Sequence, residues 1–200
     1  MIKNHQEPFQ LFANWLKEAE ENSQIIEPTA MCLATVDAQH KPSSRMVLLK
    51  KFDADFNNGG FCFFTNLTSR KGGELNVNKN VALCFYWGIL GRQVRIEGEV
   101  ENVSAKEADD YFASRRRGSQ IGAWASKQSA LLANDTEFEN RIKQVEADFS
   151  GQDVVRPPFW SGFRVKPQTI EFWQEGEFRL HKRTVYKKTA DCWEVVRLYP

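Results

Sequence analysis

Between Val94 and Val100 the chain alternates strictly, with Val94, Ile96, Gly98 and Val100 set against Arg95, Glu97 and Glu99. A period of two sustained this long fits a strand with one buried and one wet face. Residues 93–103 are therefore predicted as a strand, and the same texture recurs along the chain. Residues 31–36 and 44–50 are β-rich runs joined by the polar turn 37–42, which predicts a hairpin. The turn Asn57, Asn58, Gly59, Gly60 leads into a strand at 61–65, and 81–87 reads as another. Residues 163–165 with 169–173, then 178–187 and 193–198, are the closing strands.

Helices fall between these runs. Phe9, Phe12, Trp15, Leu16 and Ala19 recur at helical spacing, with Lys17, Glu18, Glu20 and Glu21 opposite. Residues 69–78 read as a short helix. Ser104 and Glu107 have the form of a capping box and predict a helix over 106–114. Thr136 and Glu139 repeat that form ahead of a stripe of Phe138, Ile142, Val145 and Phe149, predicted to be buried. Pro157 and Pro158 end that segment. Hairpin-connected strands with helices between them predict one mainly β (α+β) domain over 1–200, an antiparallel barrel with peripheral helices.

Composition narrows the function. The chain has 200 residues, 42% hydrophobic and 26% charged, enough to bury a core, which excludes disorder. Lys and Arg number 27 against 26 Asp and Glu, so the large basic excess of a nucleic-acid coat is missing. No apolar run is long enough for a bilayer span, and the first eight residues lack a signal-peptide core. The expectation is a soluble cytoplasmic protein. Cys32, Cys62, Cys84 and Cys192 are scattered, three of them in apolar runs, and read as reduced small hydrophobes. His5, His40 and His181 lie too far apart in sequence to suggest a structural metal.

The basic residues gather in strings: Ser44-Arg45, Lys50-Lys51, Ser69-Arg70-Lys71-Gly72, Ser114 to Ser119 and Arg179 to Arg183. Ser-Arg-Lys opening a short helix offers guanidinium, ammonium, hydroxyl and free backbone N–H groups together, good chemistry for a phosphate. Several such strings in a near-neutral protein point to small anionic ligands. As a strand, 179–183 would place Arg179, His181 and Arg183 on one face, binding an anion beside an imidazole whose protonation the arginines disfavour. Trp124 and Trp173 sit beside polar or glycine residues, as a planar ligand would need, although a core tryptophan has the same neighbours. A Rossmann fingerprint and a P-loop are both missing.

Taken in order, Arg45 to Lys50, Phe64-Thr65-Asn66, Ser69 to Gly72, Arg92-Gln93-Val94, Tyr111 to Arg115, Ser119 to Trp124, Ser126 to Ser129, Glu171 to Gln174 and Arg179 to His181 resemble the pyridoxamine 5'-phosphate oxidase family. The match runs from about Pro8 to Pro200. The resemblance implies a split β-barrel homodimer with FMN in each of two inter-subunit clefts. It implies oxidation of pyridoxamine or pyridoxine 5'-phosphate by dioxygen to pyridoxal 5'-phosphate, with release of hydrogen peroxide. Carried over by motif, Arg45, Met46, Val47, Leu48, Leu49 and Lys50 would run along the flavin, with Phe64 and Thr65 beside it. Arg70 and Lys71 would hold its phosphate. Gln93, Gln128, Ser129, Trp173 and Arg183 would complete the cofactor site, some of them from the partner chain. Lys50, Tyr111, Arg115 and Ser119 match the substrate-phosphate grip. Arg179, Leu180 and His181 match the substrate-facing segment, Arg179 and His181 as the catalytic pair.

Arg45 and Lys50 have opposite strand parity, so sharing one site requires a bend, a bulge or backbone contacts. Three positions depart from the family pattern. Lys182 stands where the family has an acid and is expected, by strand parity, to face away from the site. Arg116 replaces a proline after Arg115. The family's N-terminal arm, which closes over substrate, has no counterpart before Pro8, which implies weaker retention. Asp37 matches a family acid at the end of the first hairpin strand. The alternatives are a sister flavin oxidase resembling the phenazine-biosynthesis enzymes, or a module that binds FMN or vitamin phosphate without turnover. Tyr111, Arg115 and Ser119 count against the sister enzyme, which does not need that grip.

Overall fold

The computed structural model describes residues 7–200; the readings made on Met1 to Gln6 and the missing arm fall outside them. The chain runs α1 (Glu7–Glu21), β1 (Ala30–Val36), β2 (Pro42–Leu48), β3 (Lys51–Asp53), β4 (Gly60–Asn66), α2 (Arg70–Val77), β5 (Asn80–Trp87) and β6 (Arg92–Asn102). It continues through α3 (Ala105–Ser114), α4 (Arg117–Ala125), α5 (Asp135–Asp148), β7 (Trp160–Gln174), β8 (Lys182–Lys188) and β9 (Trp193–Leu198). All pairings are antiparallel, in the order β2-β1-β5-β6-β7-β4-β3, with β8 and β9 added beside β7. One edge of β7 follows β6. Its other edge pairs first with β4 and then with β8, and there the barrel splits.

Alternation in β6 survives intact: Val94, Ile96, Gly98 and Val100 are buried and Arg95, Glu97 and Glu99 exposed. The apolar faces of the sheet meet the aromatic stripe of α1. Phe12 is fully buried, with its ring centroid 4.9 Å from Phe61, 5.0 Å from Phe52 and 5.1 Å from Phe85. The first hairpin turns where expected, held by the Asp37 carboxylate accepting from the Gln39 and Lys41 amides, both at 2.9 Å.

Several expectations need correction. Residues 163–165 and 169–173 are one strand: Pro167, which cannot donate to a ladder, falls where the β6–β7 register shifts at Glu97/Gly98. The predicted strand over 178–187 is a 3-10 turn at Glu177–Arg179 followed by β8 from Lys182, because Phe178 and Arg179 take positive φ values of 55° and 64°. Arg179, His181 and Arg183 therefore do not share a strand face. The cap of α5 is Asn134, whose side chain accepts from the Glu137 amide at 2.9 Å, and Thr136 lies inside the helix. Its stripe is only half-buried. Strand β3 and helix α4 were not predicted; the N-cap residue of α4 is Arg116, which makes no side-chain cap. By contrast, Ser104 and Glu107 form the full capping box of α3.

Candidate active site

The cavity that gathers most of the predicted cofactor residues lies between the β2–β3 segment, β4 and the N-terminus of α2. It has a volume of about 330 Å³ and is lined by Arg45, Met46, Val47, Leu48, Lys50, Phe64, Thr65, Asn66, Lys71, Tyr111, Arg115, Gln128 and Trp160. The parity conflict between Arg45 and Lys50 is resolved by a break in the strand. β2 ends at Leu48, Leu49 turns into the core, and the Leu49 and Lys50 amides donate to Thr29 and Cys62 carbonyls, each at 2.9 Å. Leu49 is thus buried away from the cavity that its neighbours line.

Lys71 enters through local chemistry. The Ser69 side chain caps α2 by accepting from the Gly72 amide at 3.3 Å. That cap fixes Lys71 in the first turn, where its ammonium donates to Thr65 Oγ1 at 3.0 Å and Gln128 Oε1 at 2.6 Å. Burial and the neighbouring Arg45 charge hold Lys71 below the ordinary lysine pKa. Among the described residues no carboxylate makes an ion pair with it.

Arg45 and Arg70 converge on Glu74, which the sequence reading missed. Its carboxylate is buried and accepts from Ser43 Oγ, Thr35 Oγ1, Arg45 Nη2 at 3.0 Å and Arg70 Nε at 2.9 Å. Thr35 and Ser43 each accept from Arg45 and donate to Glu74, so the network is satisfied in sequence. Burial alone would raise the Glu74 pKa; the hydroxyl and Arg70 hydrogen bonds and the Arg45 charge prevail and hold it at about 2. Arg45 also donates to the Leu33 carbonyl, so both of its terminal nitrogens are engaged internally. Among the described residues Arg70 engages only its Nε, which leaves its terminal nitrogens for an incoming anion, whereas the Lys71 ammonium already donates to Thr65, Ser69 and Gln128 and would exchange one of those bonds for it.

On the opposite wall Tyr111, Phe64 and Trp160 stack, with centroids 4.1 Å apart for the first pair and 5.4 Å for the second. Arg115 lies over Trp160 at 4.9 Å, and its Nη1 is buried with no hydrogen-bond partner. Burial pulls its pKa down. An orphaned guanidinium nitrogen beside a cavity signals an acceptor still to come. Arg115, Asn66, Gln128 and Trp160 continue into an adjoining space of about 280 Å³ that contains Ser119. Arg70 and Ser129 line a groove of about 650 Å³ beyond it, and Ser129 holds a positive φ of 73°. Sequence reasoning also missed Asn66 and Trp160 as wall residues. Asn66 lay within a quoted motif, whereas Trp160 followed the two prolines that were read only as a stop.

The remaining predicted residues form a second group. Gln93, Trp173 and Arg183 come together across β6, β7 and β8 by register. None of these, nor Arg179, Leu180 or His181, lines the cavity described above. Arg183 donates to the buried Glu171 carboxylate at 2.7 Å, which also accepts from Arg95. His181 rests on Trp173 with centroids 4.5 Å apart, and its Nδ1 accepts from the Gly176 amide at 3.3 Å. That bond leaves Nε2 as the free ring nitrogen. Arg179 and Leu180 are exposed, as is Lys182.

The cavity fits a phosphorylated, planar ligand: Lys50, Lys71 and Arg115 without ion-pair partners among the described residues, an orphaned N–H and a stacked aromatic wall. Among the described residues no group of three or more His, Cys, Asp or Glu side chains is placed to hold a metal. Among the described residues no helix is long and apolar enough to cross a membrane. Residues 18–148 match the family described as pyridoxamine 5'-phosphate oxidase, and 160–200 match the pyridoxine 5'-phosphate oxidase C-terminal dimerisation region. A pyridoxine/pyridoxamine 5'-phosphate oxidase of Rhodospirillum rubrum is 53% identical over 97% of this chain and 96% of its own. One of Myxococcus xanthus is 51% identical over 97% and 92%. PhzG from Burkholderia lata, solved with tetrahydrophenazine-1-carboxylic acid, superposes with a TM-score of 0.89 at 30% identity, covering 98% of this chain and 93% of its own. With both regions matched and half the residues shared with such oxidases along nearly the full length, the chain belongs to the pyridoxamine 5'-phosphate oxidase family of FMN-binding split barrels.

Proposed function

We propose that the protein oxidises pyridoxamine 5'-phosphate and pyridoxine 5'-phosphate to pyridoxal 5'-phosphate, with FMN as cofactor and dioxygen as acceptor, at sites shared between the two chains of a homodimer. The observation that carries this reading is that three cations on one cavity, Lys50, Lys71 and Arg115, have no ion-pair partner among the described residues, since two phosphorylated ligands need two anion grips. Lys71 and the free guanidinium N–H groups of Arg70 hold the cofactor phosphate. Met46, Val47 and Leu48 run along the ring system, with Phe64 and Thr65 beside it. Arg115, with Lys50, Tyr111 and Ser119, grips the substrate phosphate.

Held by Lys71, Arg70 and the Met46–Leu48 segment, FMN would supply the redox chemistry, hydride acceptance and reoxidation by dioxygen. The protein's share is orientation and proton handling. Gln93, Trp173 and Arg183 face the cofactor from the partner chain, together with Arg179, Leu180 and His181. The match of 160–200 to a dimerisation region supports that placement for Trp173 and for residues 179–183, and Gln93 follows as the ladder partner of Trp173. Arg179 stabilises the anionic substrate. His181, held by Gly176 and Trp173, presents Nε2 to the substrate's polar edge.

The likeness to PhzG favours one alternative, a flavin oxidase of another aromatic substrate. Aerobic incubation of the purified protein with pyridoxamine 5'-phosphate separates the two. Pyridoxal 5'-phosphate and peroxide in equal amounts support the proposal. A flavin spectrum without turnover supports the sister reaction, and no flavin after adding FMN overturns both.

A further inference from the structure

We propose that Cys32 and Cys84 are a modification site: hydrogen peroxide converts them to a reversible disulfide that staples β1 to β5. The two residues are direct partners in the β1–β5 ladder. Opposed residues of an antiparallel pair have Cα atoms about 4.5 or 5.5 Å apart, depending on the hydrogen-bonding pattern. Both spacings lie inside the window that a disulfide spans. Cys32 and Cys84 also share a face. In β1 the buried positions are Met31, Leu33 and Thr35, and in β5 they are Val81, Leu83, Phe85 and Trp87, so both cysteines point away from the core. Both are free thiols and half-buried.

The other two cysteines lack this arrangement. Cys62 is fully buried and faces Lys51 and Arg164 in its ladders, and Cys192 sits in the β8–β9 turn, bonded to Thr189. The proposed chemistry divides the roles within the pair. The Cys32 thiolate attacks peroxide, forming an S–O bond as the O–O bond breaks, and water leaves after proton uptake. The Cys84 thiol then attacks the sulfenic sulfur, the S–S bond forms, the S–O bond breaks and a second water leaves. Two thiols are oxidised and one peroxide is reduced to two waters. Burial and the adjacent Cys32 raise the Cys84 pKa, which disfavours Cys84 as the thiolate that attacks peroxide first. A small-molecule dithiol reverses the bond.

The position gives the cross-link a route to the cofactor wall. On its other side Cys32 pairs with Met46, and the next residues of β1 supply Leu33 O and Thr35 Oγ1 to Arg45. Peroxide is the product of the reaction proposed above, but the test adds it directly and does not depend on that reaction.

The purified full-length protein is treated with hydrogen peroxide, blocked with iodoacetamide and digested without reductant for mass spectrometry. The expected result is a linked peptide pair containing Cys32 and Cys84 that dithiothreitol dissolves. Cys32→Ser and Cys84→Ser each abolish it while circular dichroism stays unchanged. In Cys84→Ser, Cys32 is instead trapped as a dimedone adduct, which separates a missing partner from an unreactive site. Oxidation that leaves both cysteines free, links either to Cys62 or Cys192, or yields a covalent dimer on a non-reducing gel overturns the proposal.

Discussion

Glu74 is one buried carboxylate receiving hydrogen bonds from four side chains, two of them arginines. Its pKa is depressed from 4.5 to about 2, so its stabilisation is present above the unfolded value and is lost as pH falls through about 2. At roughly 1.4 kcal/mol per unit this amounts to about 3 kcal/mol at neutral pH. Glu74→Gln should therefore lower the urea-unfolding free energy by about 2–3 kcal/mol at pH 7, with the gap to wild type narrowing as pH falls below about 4.5 and closing near 2. A gap that persists unchanged into acid would remove the charge from the explanation. Arg115 makes the complementary case, a cation without an acceptor. Arg115→Ala should raise the KM for pyridoxamine 5'-phosphate by about 10–100-fold, as losing a charge-assisted phosphate contact would, with the flavin spectrum unchanged. Unchanged KM would take Arg115 out of the phosphate grip. Arg45, Lys71 and Arg115 were legible because each sits in a local string of basic and hydroxyl residues. Glu74 was not, since its partners Thr35 and Ser43 come from a distant hairpin and nothing near it in sequence marks it as buried.

Among the elements, the turn between β7 and β8 departs furthest from expectation and carries the proposed catalytic pair. Alternating residues at 178–187 resembled a strand, yet two successive non-glycine residues in the left-handed region stop the ladder before Lys182. Periodicity could not reveal this, because a six-residue segment from Gly176 to His181 is settled by close backbone approach. A Cβ on Gly176 would stand 2.2 Å from the Leu180 carbonyl oxygen, and the Gly176 amide holds His181. Gly176→Ala should therefore displace His181 and Arg179 and cut turnover at least about 10-fold. Flavin content should hold, because Arg183 keeps its Glu171 anchor in β7. Full activity in this variant would show that the turn does not position the pair. The strands themselves were easier to read, since β6 and the first hairpin announce a buried face by alternation alone. Helix α4 was harder: it lacks a side-chain cap, so no residue at its start signals a helix.

At the scale of the molecule, the predicted site residues divide into two clusters that one chain does not bring into a single cavity. Arg45 to Leu48, Lys50, Lys71 and Arg115 line one cavity, while Gln93, Trp173, His181 and Arg183 gather where β6, β7 and β8 run side by side. Barrel class was legible from the run of hairpins, but the split was not, because it depends on β7 changing partners from β4 to β8 midway along its length. Apart from Gln93, the second cluster lies inside the matched dimerisation region, beside Phe178 at 89% exposure and Leu180 at 68%, apolar surface that a second chain would cover. If each site draws one cluster from each chain, two dead variants can repair one another. Lys71→Ala disables the first cluster, and Arg183→Ala disables the second. In a refolded equal mixture half of the dimers are mixed, and each mixed dimer holds one site with both clusters intact and one with both damaged. Activity should then recover to roughly a quarter of wild type, although neither variant alone shows it. Co-refolding followed by the pyridoxal 5'-phosphate assay measures this directly. A mixture as inactive as its parents would place both clusters on the same chain's site, and the shared-cleft assembly would have to be abandoned.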